Sequence, residues 1–389
     1  NFSVKNNQII FPTHKISLLT IDDLFDEYCK TNFERKIIIF ADIDSLKNDL
    51  NKILRIQLFK KDWFNFVDSC ARKDRELSNT YDLLKEQFFL RSTPNQKVIS
   101  LNIDETNLLK KVVLKNAERS DKFSKLKSAF LSGWAFWIIL DYSNFEWYLQ
   151  VEPIDKFAEI KNLLSKNNII FLSSYRRDNF LKNHLKKHDI EITSSINFNS
   201  NYIEKNILIY IPSRLLLPNN PLFIKSTIDI CKKFSFLSKG VSVLLSNENH
   251  FKIKLATELA SIYGQRVLLE KNPQLHNQIV CSSFEWWINN LHTISPPAQI
   301  IIPLLPFPNM NEPINQQTVS FFKSQSNNWF REFMLPESFV LIDKAISPLR
   351  HNSGKLIFLD GRVSNRKWGR DLLKMIQPQK EITYMFPFD

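Results

Sequence analysis

The stretch that decides the fold is Leu341–Pro378, which reads LIDKAISPLRHNSGKLIFLDGRVSNRKWGRDLLKMIQP. A helical pattern ends at Arg350, and after a polar turn the apolar run Lys355–Leu359 predicts a buried strand. Four basic residues follow before a short helix: Arg362, Arg366, Lys367 and Arg370. A buried strand between an arginine-bearing helix and a basic loop is typical of α/β lobes that present arginines to phosphates. An ordinary α/β unit with a solvated basic rim fits the same spacing.

The composition indicates a globular chain with polyanionic partners. Its 389 residues suffice for two or three domains with substantial cores. The net charge of +12 points to nucleic acid as the first candidate partner. Lys, Ile and Asn are used heavily along the whole chain, so a merely basic surface is the alternative.

The sequence predicts a cytoplasmic protein that does not enter a membrane. No apolar run reaches the roughly 20 residues that cross a bilayer, and the first residues carry no signal-peptide pattern. Position 1 is not Met, so we expect a longer chain to precede it. No CxxC pair occurs, which argues against a zinc or iron–sulfur site and favours reduced thiols. The cysteines are widely spaced: Cys29, Cys70, Cys231 and Cys281.

The scarcity of glycine argues against a phosphate-cradling loop. Such a loop needs glycines where backbone N–H groups approach the ligand, yet the chain has only six glycines and neither a GxxxxGK[ST] nor a GxGxxG pattern. The segment Asn352-Ser353-Gly354-Lys355 is a turn before a strand, which is the wrong order for a P-loop.

Residues 1–60 predict part of an α/β lobe. The buried strand predicted at Lys36–Phe40 is followed by Asp42 and Asp44. Acidic residues just past such a strand are where α/β nucleotide enzymes hold magnesium, and a simple helix cap at Asp44 is the alternative. The apolar run that begins at residue 168 predicts another strand, so we expect residues 161–195 to return to this lobe.

Residues 61–160 predict a helical insertion that carries an aromatic hairpin. Its strands, Trp134–Asp141 and Glu146–Pro153, flank a polar turn. Stacking of unpaired bases on the tryptophans is one interpretation, and burial of cross-strand aromatic pairs is the favoured one. Over residues 196–389 strands alternate with helices, one of them expected at Thr318–Phe333. The fold class is therefore α/β, with a second lobe built on a mostly parallel sheet.

The order of these segments resembles the back half of DinG-like helicases, the bacterial relatives of XPD-type superfamily-2 DNA helicases. The specific matches are LLPFPNMNEP at 304–313 and LDGRVSNRKWGRDLL at 359–373. Weaker matches lie at the family's other motif positions: IIIFADIDSL at 37–46, IIFLSSYRR at 169–177, SSINF at 194–198 and VLLSN at 243–247. The resemblance implies two RecA-like lobes with a helical insertion in the first, a nucleotide between the lobes and single-stranded DNA across them.

For an active member, the resemblance implies ATP and Mg²⁺ as cofactors and single-stranded or forked DNA as partner. Asp42 would hold the metal, with Asp44 as the other catalytic carboxylate, and Arg350 would approach the nucleotide phosphates. The other implied roles are phosphate contacts and DNA contacts. They fall on Arg362, Arg366 and Arg370 for phosphate, and on Ser173, Ser174, Arg176 and Arg177 for DNA. The cysteine cluster of the iron–sulfur members is absent, so no such cluster is expected.

The sequence departs from the family at catalytic positions. The Asp and Glu of the family's DEAH box align with Ala41 and Asp42, and the family's arginine finger, worth about 10³–10⁵ in rate, aligns with Ser347. The Gln of the same motif aligns with Asp343, and any Walker A loop would lie before residue 1. Two hypotheses remain: the body of an ATP-dependent DNA helicase, or an inactive helicase-fold protein that binds nucleic acid or acts as a scaffold.

Overall fold

The structure is a computed structural model, and its chain divides into two compact units. The first unit comprises Asn1–Ser195 and Asn309–Asn327, and the second comprises Ile196–Pro308 and Asn328–Asp389. The residues that the structure describes are 3–5, 8–10, 15–17, 19–24, 37–40, 43–63, 75–93, 97–119, 121–172, 185–186, 189–194, 196 and 205–384.

Strands and helices alternate through most of the described chain. The strands are β1 (Ser3–Lys5), β2 (Gln8–Ile10), β3 (Lys15–Ser17), β4 (Ile37–Phe40), β5 (Ile56–Leu58), β6 (Val98–Ser100), β7 (Ala135–Asp141), β8 (Glu146–Glu152), β9 (Asn168–Phe171), β10 (Ile207–Tyr210), β11 (Ser242–Leu245), β12 (Val267–Leu269), β13 (Ile279–Ser282), β14 (Gln299–Ile302), β15 (Lys355–Phe358) and β16 (Gln379–Thr383). The helices are α1 (Ile43–Leu54), α2 (Arg75–Arg91), α3 (Ile103–Asn116), α4 (Asp121–Leu131), α5 (Lys156–Lys166), α6 (Phe223–Leu237), α7 (Asn249–Tyr263), α8 (Phe284–Asn289), α9 (Pro313–Ser324), α10 (Leu335–Ile346), α11 (Leu349–Asn352), α12 (Arg362–Asn365) and α13 (Gly369–Met375).

The second unit is built on a seven-stranded parallel sheet with the order β12-β13-β11-β14-β15-β10-β16. Its central strands are continuous apolar runs, as parallel strands covered on both faces require. Ile301 and Ile357, for example, pair across β14 and β15 and are fully buried. The predicted α/β class with a parallel sheet is therefore confirmed. The edge strand β16 has the mixed sequence QKEIT, and periodicity alone did not reveal it.

The helix boundary near residue 324 differs from the sequence-based prediction. The helix predicted at Thr318–Phe333 is wrong, because α9 ends at Ser324 and Ser326 adopts a left-handed conformation with φ of +57°. A π-helical turn at Phe330–Met334 then leads into α10. Strand β14 ends before Pro303, which has no N–H group to continue the ladder.

The insertion in the first unit combines helices with an antiparallel sheet of order β5-β8-β7-β6. The predicted hairpin is confirmed, with Ala135 paired to Glu152 and Asp141 to Glu146. Trp147 is buried and stacks on Tyr81 at 4.9 Å between ring centroids, so burial is the correct interpretation of the hairpin tryptophan. The helices of this region therefore pack with a four-stranded sheet that includes the predicted hairpin.

The rest of the first unit holds a parallel pair of strands. Residues of β4 pair with β9 in register, Ile37 with Asn168 and Phe40 with Phe171. Leu50 of α1 and Leu163 of α5 are fully buried in the hydrophobic cluster on this pair. Residues near 170 therefore form one sheet with residues near 40.

Residues 309–327, here called the strap, leave the second unit's sequence and fold with the first unit. The strap contains α9, which packs on β7 through Gln317. The Phe136 N–H donates to Gln317 Oε1 at 3.2 Å, and Gln317 Nε2 donates to the Phe136 carbonyl at 2.8 Å. The sequence had placed these residues within the lobe at 196–389.

Within the described part of the chain, no helix is both long enough and apolar enough to cross a bilayer.

One ion pair predicts a pH-dependent contribution to stability. Lys252 Nζ donates to Glu270 Oε1 at 2.6 Å, and the Ser283 N–H donates to the same oxygen at 3.1 Å. Burial raises the pKa of Glu270, but the hydrogen bonds from Lys252 and Ser283 outweigh it, so the pKa lies below its ordinary value. The stabilisation is thus present above the unfolded-state pKa and is lost as the pH falls through the folded-state pKa.

We expect Glu270→Gln to lower the free energy of unfolding near neutral pH by about 1 kcal/mol. Because a Glu in the unfolded chain titrates at about 4.3, the difference in the free energy of unfolding between variant and original chain shrinks below that pH. Urea unfolding between pH 3.5 and 7 measures it. Glu258→Gln, in a more exposed pair with Lys232, is the control and has a smaller effect. An equal loss at both ends of the pH range would contradict this prediction.

Candidate nucleic-acid interface

The two sequence segments with the most specific motifs meet at one edge of the parallel sheet. Strands β14 and β15 are neighbours in register, with Ile302 paired to Phe358, so the loops that follow them start side by side. The Leu305 N–H, in the first loop, donates to Asp360 Oδ2, in the second, at 3.1 Å. These loops form the structural basis of the candidate site.

Asp360 is fully buried and has partners for both carboxylate oxygens. Arg362 Nε donates to Oδ1 at 2.9 Å and its terminal nitrogen donates to Oδ2 at 2.6 Å, which is a bidentate ion pair. Gly361 between them packs so closely that a Cβ would lie 2.6 Å from the Leu216 carbonyl oxygen. The Asp-Gly-Arg sequence is thus explained residue by residue by packing and hydrogen bonding.

Arg362 also covers an aromatic cluster, defined as Phe307, Phe330 and Trp368. The guanidinium carbon lies 4.8 Å from the centre of the Phe307 ring, in cation–π geometry. Phe307 contacts Phe330 and Trp368, each at 5.6 Å between ring centroids, and Phe330 and Trp368 lie 5.9 Å apart. All three rings are half-buried, so each retains solvent-accessible surface.

Exposed cations flank Trp368 in the chain. Arg366, Lys367 and Arg370 are exposed, and none forms a salt bridge with a residue that the structure describes. Gly369 allows the α13 backbone to approach α12, since a Cβ there would lie 1.9 Å from the Val363 carbonyl oxygen. The aromatic cluster together with Arg362, Arg366, Lys367 and Arg370 is called the basic–aromatic surface below. Unpaired cations beside accessible rings can bind phosphates and stack bases.

Arg350, expected to approach nucleotide phosphates, has its guanidinium enclosed. Only 10 % of its side chain is exposed, and a terminal nitrogen lies 2.5 Å from Asp343 Oδ1. Its Nε donates to the Gln377 carbonyl at 2.9 Å. Arg350 therefore joins α10, α11 and the segment after α13. Ser347, at the position of the family's arginine finger, is partly buried at the end of α10.

Apart from Arg350, the predicted site residues fall into three groups. Arg362, Arg366 and Arg370 lie in the basic segment after β15, with Arg362 paired and the other two exposed. Asp44 lies in the first turn of α1. The others lie outside the described residues: Asp42, Ser173, Ser174, Arg176 and Arg177. Among the described residues, no group of His, Cys, Asp or Glu side chains is arranged to hold a metal ion.

Sequence reasoning missed the aromatic members of the surface. Phe307 and Trp368 lie inside the two motif segments, so an aromatic residue among basic ones in Lys367-Trp368-Gly369-Arg370 was an available signal. Phe330 carried no such signal, because only packing brings it to Trp368.

Comparison with solved structures gives the fold. An apo XPD structure is 14 % identical, with a TM-score of 0.52, and the match covers 93 % of this chain and 80 % of that one. Xpd4 of S. tokodaii is 13 % identical, with a TM-score of 0.53 and coverage of 90 % and 75 %. No family model matches the sequence, and a search among curated proteins found no match. The chain therefore has the fold of the XPD structures, as its motifs had indicated.

The buried Arg350–Asp343 pair predicts a large effect on stability. Arg350→Met leaves the mostly buried carboxylate of Asp343, 13 % exposed, without its partner, and we expect a loss of about 2 kcal/mol in the free energy of unfolding. The double variant Asp343→Leu/Arg350→Met removes both charges and recovers most of that loss. Urea unfolding followed by tryptophan fluorescence measures both. Unchanged stability in Arg350→Met would mean that the guanidinium is available for another role.

Proposed function

We propose that this chain binds single-stranded nucleic acid through the basic–aromatic surface, as a helicase-fold body related to the DinG-like branch. The observation that carries this proposal is a cluster of half-buried aromatic rings, one of which, Trp368, is flanked in the chain by unpaired exposed cations. Proteins that bind single strands use this combination, because cations follow the phosphates while bases stack on the rings. The net charge of +12 favours the same partner.

A single strand suits this surface better than a duplex does. In a duplex the bases are already stacked on one another, so the rings of Phe307 and Trp368 have no free base to receive. Solved structures with this fold carry the name XPD, and the resemblance of the two motif segments to DNA helicases supports nucleic acid as the partner class. Forked DNA as a partner and a cytoplasmic location stay predictions.

Arg350 and Ser347, at the positions of the family's final arginine motif, do not fit the phosphates of a bound nucleotide. Arg350 is held by Asp343 and Gln377, and Ser347 has neither the charge nor the reach of an arginine finger. We therefore assign the chain a nucleic-acid-binding or scaffolding role, and derive no hydrolytic step involving ATP and Mg²⁺.

Binding to labelled (dT)20, followed by fluorescence anisotropy, tests the proposal. Trp368→Ala removes a stacking ring, so we expect affinity about tenfold lower. Arg366→Ala/Arg370→Ala removes two phosphate contacts, and the slope of log K against log salt becomes shallower by about 1.4. Lys254→Ala, an exposed lysine on α7, is the control and changes neither quantity beyond its small effect on net charge. A duplex of equal length binds more weakly.

The absence of binding at low salt would overturn the proposal, as would binding that these variants leave intact.

A measurement of DNA-stimulated ATP hydrolysis distinguishes the two hypotheses that the sequence left open. We expect no hydrolysis. Hydrolysis that disappears in Asp42→Ala would restore the enzymatic hypothesis, because Asp42 aligns with the glutamate of the family's DEAH box.

A further inference from the structure

We propose that a cleft between α2 and the turn of the β7–β8 hairpin docks a partner protein, by receiving an aromatic side chain that is flanked by lysine or arginine in the partner's own sequence. The cleft has a volume of about 450 Å³ and lies within the first unit. No residue of the basic–aromatic surface takes part. The inference therefore goes beyond the nucleic-acid binding proposed above and does not depend on it.

Aromatic and aliphatic side chains form the apolar part of the cleft. Phe89, on α2, stacks on Phe145 with 4.2 Å between ring centroids, and Tyr142 meets Phe89 edge-on at 5.4 Å. Beside them, Leu90 is 78 % exposed and Phe145 is 57 % exposed. Exposed apolar side chains that cluster in a cleft, unlike those scattered singly, indicate a binding surface.

Hydrogen bonds hold the two walls of the cleft together. The Tyr142 hydroxyl, in the hairpin turn, donates to the Thr93 carbonyl, just after α2, at 2.6 Å. Within the turn, Asn144 Nδ2 donates to Asp141 Oδ2 at 2.7 Å. A cleft whose walls are fixed in advance loses little conformational entropy when a ligand binds, which favours affinity.

The backbone of Phe145 gives an independent indication of a ligand. Its φ is +51°, in the left-handed region where glycine is the ordinary residue and a bulky side chain is strained. Burial does not offset this strain, because more than half of the ring stays exposed. Stacking on Phe89 and the Lys85 ammonium, 5.3 Å from the ring centre, orient the ring without covering it. A bound side chain that covers the ring accounts for its position.

The charge at the rim of the cleft identifies the kind of partner. Asp82 and Glu86 lie one turn apart on α2, line the cleft and are exposed. Neither forms a salt bridge with a residue that the structure describes. Lys85 Nζ, between them in the sequence, lies 3.7 Å from Glu146 Oε1 and is thereby partly neutralised. This rim repels phosphates and attracts lysine and arginine, so a basic protein segment fits it and nucleic acid does not.

The two parts of the cleft divide the work of recognition. An aromatic anchor placed against Phe145 and Leu90 removes apolar surface from water, and such anchors carry most of the affinity at protein interfaces. Cations on either side of the anchor reach the carboxylates at the rim, where they contribute mainly specificity and the rate of association.

Binding of a labelled peptide to the full chain tests this inference by fluorescence anisotropy. The basic peptide has one phenylalanine between two lysines, with glycine–serine spacers and a fluorescein label. We expect it to bind at low salt about tenfold more tightly than a peptide with alanine in place of phenylalanine. A peptide with glutamates in place of the lysines also binds more weakly, although the net charge of +12 would favour it in the absence of a local acidic site.

Phe145→Gly removes the ring and suits the left-handed backbone, so the variant folds. We expect the basic peptide to bind it about tenfold more weakly, while the urea unfolding midpoint stays at or above that of the original chain. This combination distinguishes a docking residue from a structural one, since loss of a structural ring lowers the midpoint.

The double variant Asp82→Asn/Glu86→Gln tests the rim without changing its shape. We expect affinity for the basic peptide to fall about fivefold at low salt, and the difference to shrink as salt screens the charges. Asp104→Asn/Glu118→Gln removes the same charge from two exposed acids that do not line the cleft, so it is the matched control and leaves the affinity unchanged.

Four results would each overturn the inference. One is the absence of binding by the basic peptide at low salt, and another is full affinity in Phe145→Gly. A loss of (dT)20 binding in Phe145→Gly would assign the cleft to nucleic acid instead. Self-association of the original chain in sedimentation experiments that disappears in Phe145→Gly would assign it to a second copy of the chain.

Discussion

The buried carboxylate of Asp360 is the constraint on which the rest of the site depends. A carboxylate with no exposed surface is tolerated only when its charge and lone pairs are matched. Here the Leu305 N–H and the Arg362 guanidinium match them, which fixes the loops after β14 and β15 to each other. Because Arg362 is held in this way, it lies over Phe307 and defines one side of the aromatic cluster.

The arginines of this unit divide into two physical classes that look alike in the sequence. Arg350 and Arg362 form ion pairs with Asp343 and Asp360, and they hold packed segments of the second unit together. Arg366 and Arg370 are exposed without such partners and are available to a ligand. A phosphate-binding role therefore falls on the second class, and the electrostatics favour an extended polyanion over a nucleotide enclosed between arginines.

The path of the chain differs from the simple order of its segments. Between Phe307 and Phe330 the strap folds with the first unit, where the Gln317 amide exchanges two hydrogen bonds with the Phe136 backbone. Phe307 and Phe330 belong to the second unit, where they contact each other and Trp368. Residues that are far apart in the sequence therefore form one aromatic cluster.

The sequence by itself determined those features of the fold that depend on local patterns of residues. Continuous apolar runs such as Lys355–Leu359 predicted a mostly parallel sheet, and alternating aromatic runs predicted the β7–β8 hairpin. Burial determines the composition of a parallel strand and the alternation of residues in a hairpin. The two motif segments indicated the helicase-like fold. Only the tertiary structure decided the break after Ser324, the pairing of Arg350 with Asp343, the addition of Phe330 to the cluster and the docking of the strap on Phe136. Each of these depends on a partner that sequence periodicity does not identify, and on a balance between desolvation and pairing that is settled only when the chain is packed.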